Sequence, residues 1–263
     1  MGRSVQAGVG DDALDERDDV GVLGRERQVA HLQAGDVQEL RDERAGSLSI
    51  ATIPTLTHAL LPKAVQALRQ ERPRLRVTIE TCEQPTLLRQ IKLEAAEIGF
   101  SYSPILEPGV AAEPVFRTRM VCFLPAGHPL AGRSTLGPAD LVGTPVAVLS
   151  PTTSPGLLLR EAFEKHKAGN IELIETNAAS AAIGLVKEGV AVALMDVLAL
   201  YAAGGARLEA APFEPEIPLI LTAIYSRQRP VSRVVVRFLA HVRTVLDGMC
   251  VELRARDLPG QRL

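Results

Sequence analysis

Tryptophan is missing from this 263-residue chain, and aromatic residues make up only 3% of it. Any core must therefore be built from Leu, Val, Ile and Ala. Cysteine is scarce as well. Cys82, Cys122 and Cys250 are far apart, with no CxxC and no Cys/His cluster, which excludes a zinc framework of ordinary spacing and a disulfide scaffold and fits a reducing compartment. No run of about 18 apolar residues occurs, so no membrane helix is expected. The early Asp11, Asp12, Asp15 and Glu16, with no apolar stretch around them, do not read as a secretory signal. A surplus of positive charge is also lacking: 29 Lys and Arg stand against 31 Asp and Glu, for a formal net charge of −2. That removes the basic footprint of a nucleic-acid-binding chain. Catalytic signatures are missing too, with no GxSxG, no HExxH and no P-loop. The histidines His31, His58, His128, His166 and His241 have no metal-ligand spacing to one another and read as surface or structural residues. Glu94 and Glu97 read as a solvated helix end rather than a carboxylate pair. No enzyme activity, metal or cofactor is expected.

What is present is an ordinary globular balance, 46% hydrophobic and 23% charged, enough to bury a substantial core. Residues 1–35 are rich in Gly, Asp, Arg and Val without a clear period, and residues 36–44 (DVQELRDER) are charged and helix-compatible, ended by Gly46. Regular patterning begins after that. Residues 47–52 (SLSIAT) alternate like a strand. Leu61, Ala64, Val65 and Leu68 fall on one helical face. Residues 74–80 (RLRVTIE) predict a second strand, Leu87, Leu88, Ile91 and Ala95 a second helix, and residues 97–102 (EIGFSY) a third strand. This βαβαβ order implies a parallel sheet with right-handed crossovers. A second α/β unit follows. Its strands are expected at 120–124, 145–149, 171–175 and 190–195, and its helices hold Leu158, Leu159, Ala162 and Phe163, then Ala179, Ala182, Ile183 and Val186. The chain returns through residues 219–225 and ends in a long amphipathic helix carrying Val231, Val234, Phe238, Val242, Val245 and Met249.

The pattern predicts an α/β protein of two Rossmann-like lobes with a hinge, the crossovers lying near 100–104 and 224–226. The expected division is an atypical segment 1–45, a two-lobed domain 46–250 and a tail 251–263. Lobe I takes about 46–102 and 225–250, and lobe II about 103–224. In open α/β sheets ligands sit beyond the carboxyl ends of strands. Polar residues gather there in both lobes: Thr52, Thr55 and Thr57; Thr81 and Glu83; Ser101, Tyr102 and Ser103; Thr152, Thr153 and Ser154; Asn177; and Asp196. Each alone could be a helix cap or turn residue. Together they mark the side of each sheet where free helix N–H groups can hold a carboxylate.

From about residue 36 to 247 the chain resembles the linker end and effector-binding domain of LysR-type transcriptional regulators. The resemblance rests on RDERAGSLSIATIPTLTHALLPKAVQALRQERPRLRVTIE, EIGFSY, VCFLPAGHPLAG, NAASAAIGLVKEGVAVALMD and PFEPEIPL, in that order. It implies a type 2 periplasmic-binding-protein-like fold, a cytoplasmic location and a small effector, amino-acid-like or carboxylate, bound between the lobes. The effector contacts it implies are Thr55, Thr57, Tyr102, Ser103, Thr152, Thr153, Ser154, Asn177 and Asp196. Many members carry Pro or Asn at the position of Asp196, so this carboxylate either meets a cationic ligand group or caps the segment after it. The resemblance further implies a homodimer or tetramer formed by a first-lobe helix (58–72) against a second-lobe helix (178–187). Promoter DNA would be bound only through a winged helix-turn-helix, and no such pattern is expected within residues 1–45, where six Arg face eleven Asp and Glu. Two other readings of the architecture are a transporter's solute-binding protein, which needs a signal or lipid anchor, and a deaminase of the tetrapyrrole pathway, for which Cys82 is the one cofactor-bearing candidate.

Overall fold

Two α/β layers account for nearly all of the chain that the computed structural model describes, residues 46–166, 169–204 and 208–262. The expectations for residues 1–45, the linker helix and the DNA-binding module, lie outside the described residues. The first layer opens with β1 (Ser47–Thr52), α1 (Pro54–Ala59), α2 (Leu61–Glu71), β2 (Arg76–Thr81), α3 (Gln84–Lys92) and β3 (Ile98–Tyr102). β1 lies between β2 and β3 and parallel to both, the arrangement that the βαβαβ order requires. β3 is buried along its whole length, as an apolar central strand should be. It approaches α3 so closely that a Cβ at Gly99 would stand 2.8 Å from the Leu87 Cδ2 methyl, so a larger residue there would require the Leu87 side chain to shift.

The first helix differs from expectation. Periodicity predicts one helix centred on 61–68, but helical turns begin at Pro54 and are interrupted at Leu60, where φ is −109°. Pro62 explains the break: its ring has no N–H and crowds the carbonyl four residues back.

β4 (Val110–Pro125) carries the chain from one layer to the next. Its first part, Val110 to Arg119, pairs antiparallel with β9 (Pro218–Ser226), and β9 in turn pairs with β3. From Met120 onward it pairs with β7 (Val192–Asp196) and β8 (Leu208–Pro212). The second layer is completed by β5 (Val146–Leu149), α4 (Ser154–Lys165), β6 (Leu173–Thr176) and α5 (Ala179–Lys187), with β5 parallel to both β6 and β7. The strand order is β2-β1-β3-β9-β4-β7-β5-β6, with β8 and the short β10 (Gln261–Arg262) added to β4. The passage between layers therefore lies inside β4 at Arg119/Met120 and in the segment between Pro212 and Pro218, not near 100–104 and 224–226. The strand pair that includes Val110–Arg119 and Pro218–Ser226 belongs to the first sheet, although the sequence pattern assigned most of it to the second lobe. Pro114 sits at a register shift in this pair, and with Glu113, Arg117 and Arg119 it hides the strand from a pattern search.

The closing helix α6 (Arg233–Arg254) is capped by Ser232, whose Oγ accepts from the Val235 N–H at 3.3 Å. Its buried stripe is Val235, Phe238, Leu239, Val242, Leu246, Met249, Cys250 and Leu253, one position away from the expected Val234 and Val245 at two points, and Val231 precedes the helix. Phe238 meets Phe100 edge to face at 6.2 Å. Arg237 donates to both carboxylate oxygens of Glu71, at 2.6 and 2.7 Å, and so ties α6 to α2. Glu97 is not a solvated helix end. It accepts from the Ser49 N–H at 3.2 Å and from Ser232 Oγ at 3.3 Å, and thereby pins β1 to the start of α6. Among the described residues no helix is long and apolar enough to cross a membrane.

Candidate functional site

The carboxyl ends of β1, β3, β5 and β6 meet where the two layers face each other, and a cavity of about 50 Å³ lies there. Four helices begin at its wall: α1 with Pro54 and Thr55, α3 with Gln84, α4 with Thr153, Ser154 and Pro155, and α5 with Asn177 and Ala179. Each helix start leaves backbone N–H groups without an intrahelical acceptor and adds a positive partial charge. Neither α1 nor α5 has a side-chain cap, and α1 opens on Pro54, which has no N–H. Leu56 and Ala181 donate to the Ile53 and Ala178 carbonyls, which leaves the N–H of Thr55 in α1 and those of Ala179 and Ser180 in α5 without an intrahelical acceptor. Ile53, Leu149 and the Tyr102 ring supply the apolar part of the lining.

Thr55 is only 4% exposed, because α1 packs against the 3-10 segment Val197–Ala203 of the other layer. Thr153 is the N-cap of α4. Its Oγ1 accepts from the Gly156 N–H at 3.2 Å and donates to the Ser150 carbonyl at 2.8 Å. Gly156 holds α4 against the end of β5: a Cβ there would stand 2.2 Å from the Ser150 carbonyl oxygen and 2.3 Å from that of Leu149. Ser154 Oγ donates to Gln84 Oε1 at 2.7 Å across the gap between layers, and Gln84 Nε2 donates to the Pro104 carbonyl at 3.1 Å. Thr152 is exposed at the rim and bonded to Ser150 Oγ at 3.1 Å.

Six of the nine residues singled out in the sequence thus share this cavity: Thr55, Tyr102, Thr152, Thr153, Ser154 and Asn177. Three do not line it. Thr57 points to the exposed side and shares a hydrogen bond with Thr81 at 2.9 Å. Ser103 pairs with Thr222 at 2.8 Å within the first sheet. Asp196 is fully buried behind Tyr102 and caps the 3-10 segment, accepting from the Leu198 N–H at 2.9 Å. Gln84 is the contact that sequence reasoning misses. Its only signal is the EQP start of a helix, which resembles many others.

Burial raises the Asp196 carboxyl to about 6, against the opposing pull of the neighbouring Tyr102 hydroxyl and of backbone N–H groups at Leu198 and Ala199. Burial likewise raises the Tyr102 hydroxyl well above its ordinary range, with the Asp196 charge adding to it. No hydrogen bond of ordinary geometry joins the two, and Tyr102 Oη and Asp196 Oδ2 both lack a partner. Cys82 is partly buried, and burial, together with Glu80, raises its thiol. It does not line the cavity. Among the described residues no cluster of His, Cys, Asp or Glu has the makings of a metal site.

Residues 41–247 match the family model described as the LysR substrate binding domain. The chain belongs to this family. It is 29% identical over 220 residues to the transcriptional activator protein LysR of Escherichia coli strain K12, covering 83% of this chain and 70% of that protein. Among solved structures it superimposes on HinK, a LysR family transcriptional regulator from Pseudomonas aeruginosa, with a TM-score of 0.68 at 19% identity, over 87% of this chain and 80% of that one. The effector-binding domain of BenM, solved with its effector benzoate, gives a TM-score of 0.64 at 18% identity, over 78% and 93% of the two chains. The fold is that of LysR effector-binding domains, the type 2 periplasmic-binding-protein-like fold, and the chain carries the effector-binding domain of a LysR-type regulator. The transporter reading is not favoured.

Proposed function

We propose that the cavity between the layers is the effector site and that it takes a small carboxylate, amino-acid-like in the fullest version of the reading. The observation that carries this is the convergence of four helix N-termini on one cavity, since such ends bind anions through free N–H groups and the helix dipole. Benzoate, the effector of BenM, is itself a carboxylate. In this reading Thr55 and Asn177 hold the anionic group, joined by Ser154 once it leaves Gln84. Thr153, whose N–H and hydroxyl both donate to the Ser150 carbonyl, fixes the start of α4, and Thr152 sits at the entrance. Tyr102 meets the remainder of the ligand. Thr57, Ser103 and Asp196 act from behind, through α1, β9 and Tyr102. An ammonium group would turn toward Tyr102 and the unpartnered Asp196 oxygen. A volume of about 50 Å³ accommodates only a few waters, so a larger effector requires Ser154 and Gln84 to separate. Ligand binding would then favour one arrangement of the lobes in proportion to its differential affinity.

The test is a thermal-shift panel of amino acids and their deaminated analogues. A ligand at one hundred times its Kd should stabilise the fold by about 2.7 kcal/mol. Thr55→Ala and Thr153→Ala are each expected to weaken the hit by about 1–3 kcal/mol, or roughly 5- to 150-fold. Equal affinity in wild type and both variants would remove the site from this cavity. Asp196→Asn is expected to weaken an amino acid and spare its deaminated analogue.

A further inference from the structure

A second depression adjoins the first. It is a groove of about 510 Å³ between α3 and the loop that leaves β3, lined by Leu88, Leu93 and Leu106 together with Arg89 and Lys92. Two of its leucines are the most exposed large apolar side chains among the described residues, Leu106 at 89% and Leu93 at 72%. Apolar side chains left open together, beside a concave surface, mark a place where something binds. The two cations differ. Lys92 is already paired with Glu107 at 2.6 Å, whereas the Arg89 guanidinium is exposed and has no hydrogen-bond or ion-pair partner among the described residues. The groove thus offers aliphatic surface and one uncommitted guanidinium, a planar fork suited to a carboxylate. Its volume falls in the range of small-molecule pockets, roughly 300–1,000 Å³.

Its walls also matter. Gln84 and Thr152 line both this groove and the inter-layer cavity. Gln84 is the residue that bridges Ser154 on one side and the Pro104 carbonyl on the other, and Pro104 is part of the groove. A molecule seated here would touch α3, the loop after β3 and Thr152 of the second layer together.

We propose that this groove is a second ligand site, for an amphipathic carboxylate whose aliphatic body lies on Leu88, Leu93 and Leu106 and whose head pairs with Arg89. Because it spans the Gln84 bridge, its occupant holds the two layers in the closed arrangement and so weakens the binding of a larger effector in the adjacent cavity. The site itself stands without the effector reading; only this coupling rests on it.

Octanoate, octylamine and octanol provide the test, each titrated into the full chain by calorimetry and by leucine-methyl NMR. Octanoate is expected to bind and to shift the Leu93 and Leu106 methyls, octylamine not to bind, and octanol to bind at least tenfold more weakly. Arg89→Gln should weaken octanoate at least tenfold and Leu106→Ser at least fivefold, while Thr153→Ala leaves it unchanged. Both substituted side chains are exposed, so folding is preserved. Octylamine binding as well as octanoate, or Arg89→Gln without effect, overturns the proposal. So does loss on Thr153→Ala with retention in Leu106→Ser, which would put octanoate in the inter-layer cavity. If Leu106→Ser instead changes the sedimentation behaviour of the chain, a second copy covers the groove and the proposal fails.

Discussion

Asp196 carries two properties that pull apart. As a cap it is well placed, with its Oδ1 accepting from the Leu198 N–H, but its other oxygen is buried without a partner. Burial lifts its carboxyl from the ordinary value of 3.8 to about 6, so the folded chain binds that proton more tightly than the unfolded one. The stabilising contribution is therefore complete below about pH 4 and disappears as the pH rises through about 6. Asn retains the cap and has no charge to bury. Urea unfolding at several pH values should show Asp196→Asn gaining on wild type by about 3 kcal/mol between pH 4 and pH 7. A constant difference over that range would mean that the carboxyl is not buried as described. Gly156 makes a steric prediction. Its missing Cβ is the space that the Leu149 and Ser150 carbonyls occupy. Gly156→Ala must push α4 from β5, at a cost of about 1–3 kcal/mol, and should weaken the effector along with the fold. Unchanged urea unfolding in this variant would show that the backbone yields freely there.

At the scale of elements, the parallel strands and their helices were legible because each is amphipathic or fully apolar over its length. β1, β3, β5 and β7 announce themselves by apolar content, and α6 by a period of three to four. The first part of β4 was not legible, since Pro114 and alternating charges resemble a loop, and its pairing with β9 spans more than a hundred residues. The site was legible in part for a related reason. Thr55, Thr153 and Asn177 follow strands directly, so their position beyond the carboxyl ends follows from local order. Gln84 bridges to Ser154, 70 residues away, and nothing local reports that contact. This bridge is the direct side-chain hydrogen bond across the cavity. Gln84→Ala should favour the open arrangement, raising the association rate of a bulky effector and its dissociation rate more. Stopped-flow binding that leaves both rates unchanged would remove the bridge from the gating step.

For the whole molecule, the family relationship carries an oligomeric expectation: α2 of one copy against α5 of another, side by side and antiparallel. Leu185 on α5 is partly exposed in the single chain. Leu185→Glu should place a charge at such a junction and shift the chain toward monomer in sedimentation velocity, with the effector site intact. A dimer equally stable in this variant would assign the interface elsewhere.

β4 belongs to both sheets without a break, its residues up to Arg119 hydrogen-bonded in one and its residues from Met120 in the other. Mechanically this is an axle rather than a strip of leather. A loose connection lets two halves swing apart freely. A hydrogen-bonded strand gripped at both ends can only twist, and its resistance grows with the angle. With the segment between Pro212 and Pro218 as the second passage, this strand acts as a torsion bar, and the motion expected when the cavity is occupied is a small, stiff rotation of one layer against the other. Such a rotation is well suited to travel through a rigid assembly without being lost on the way.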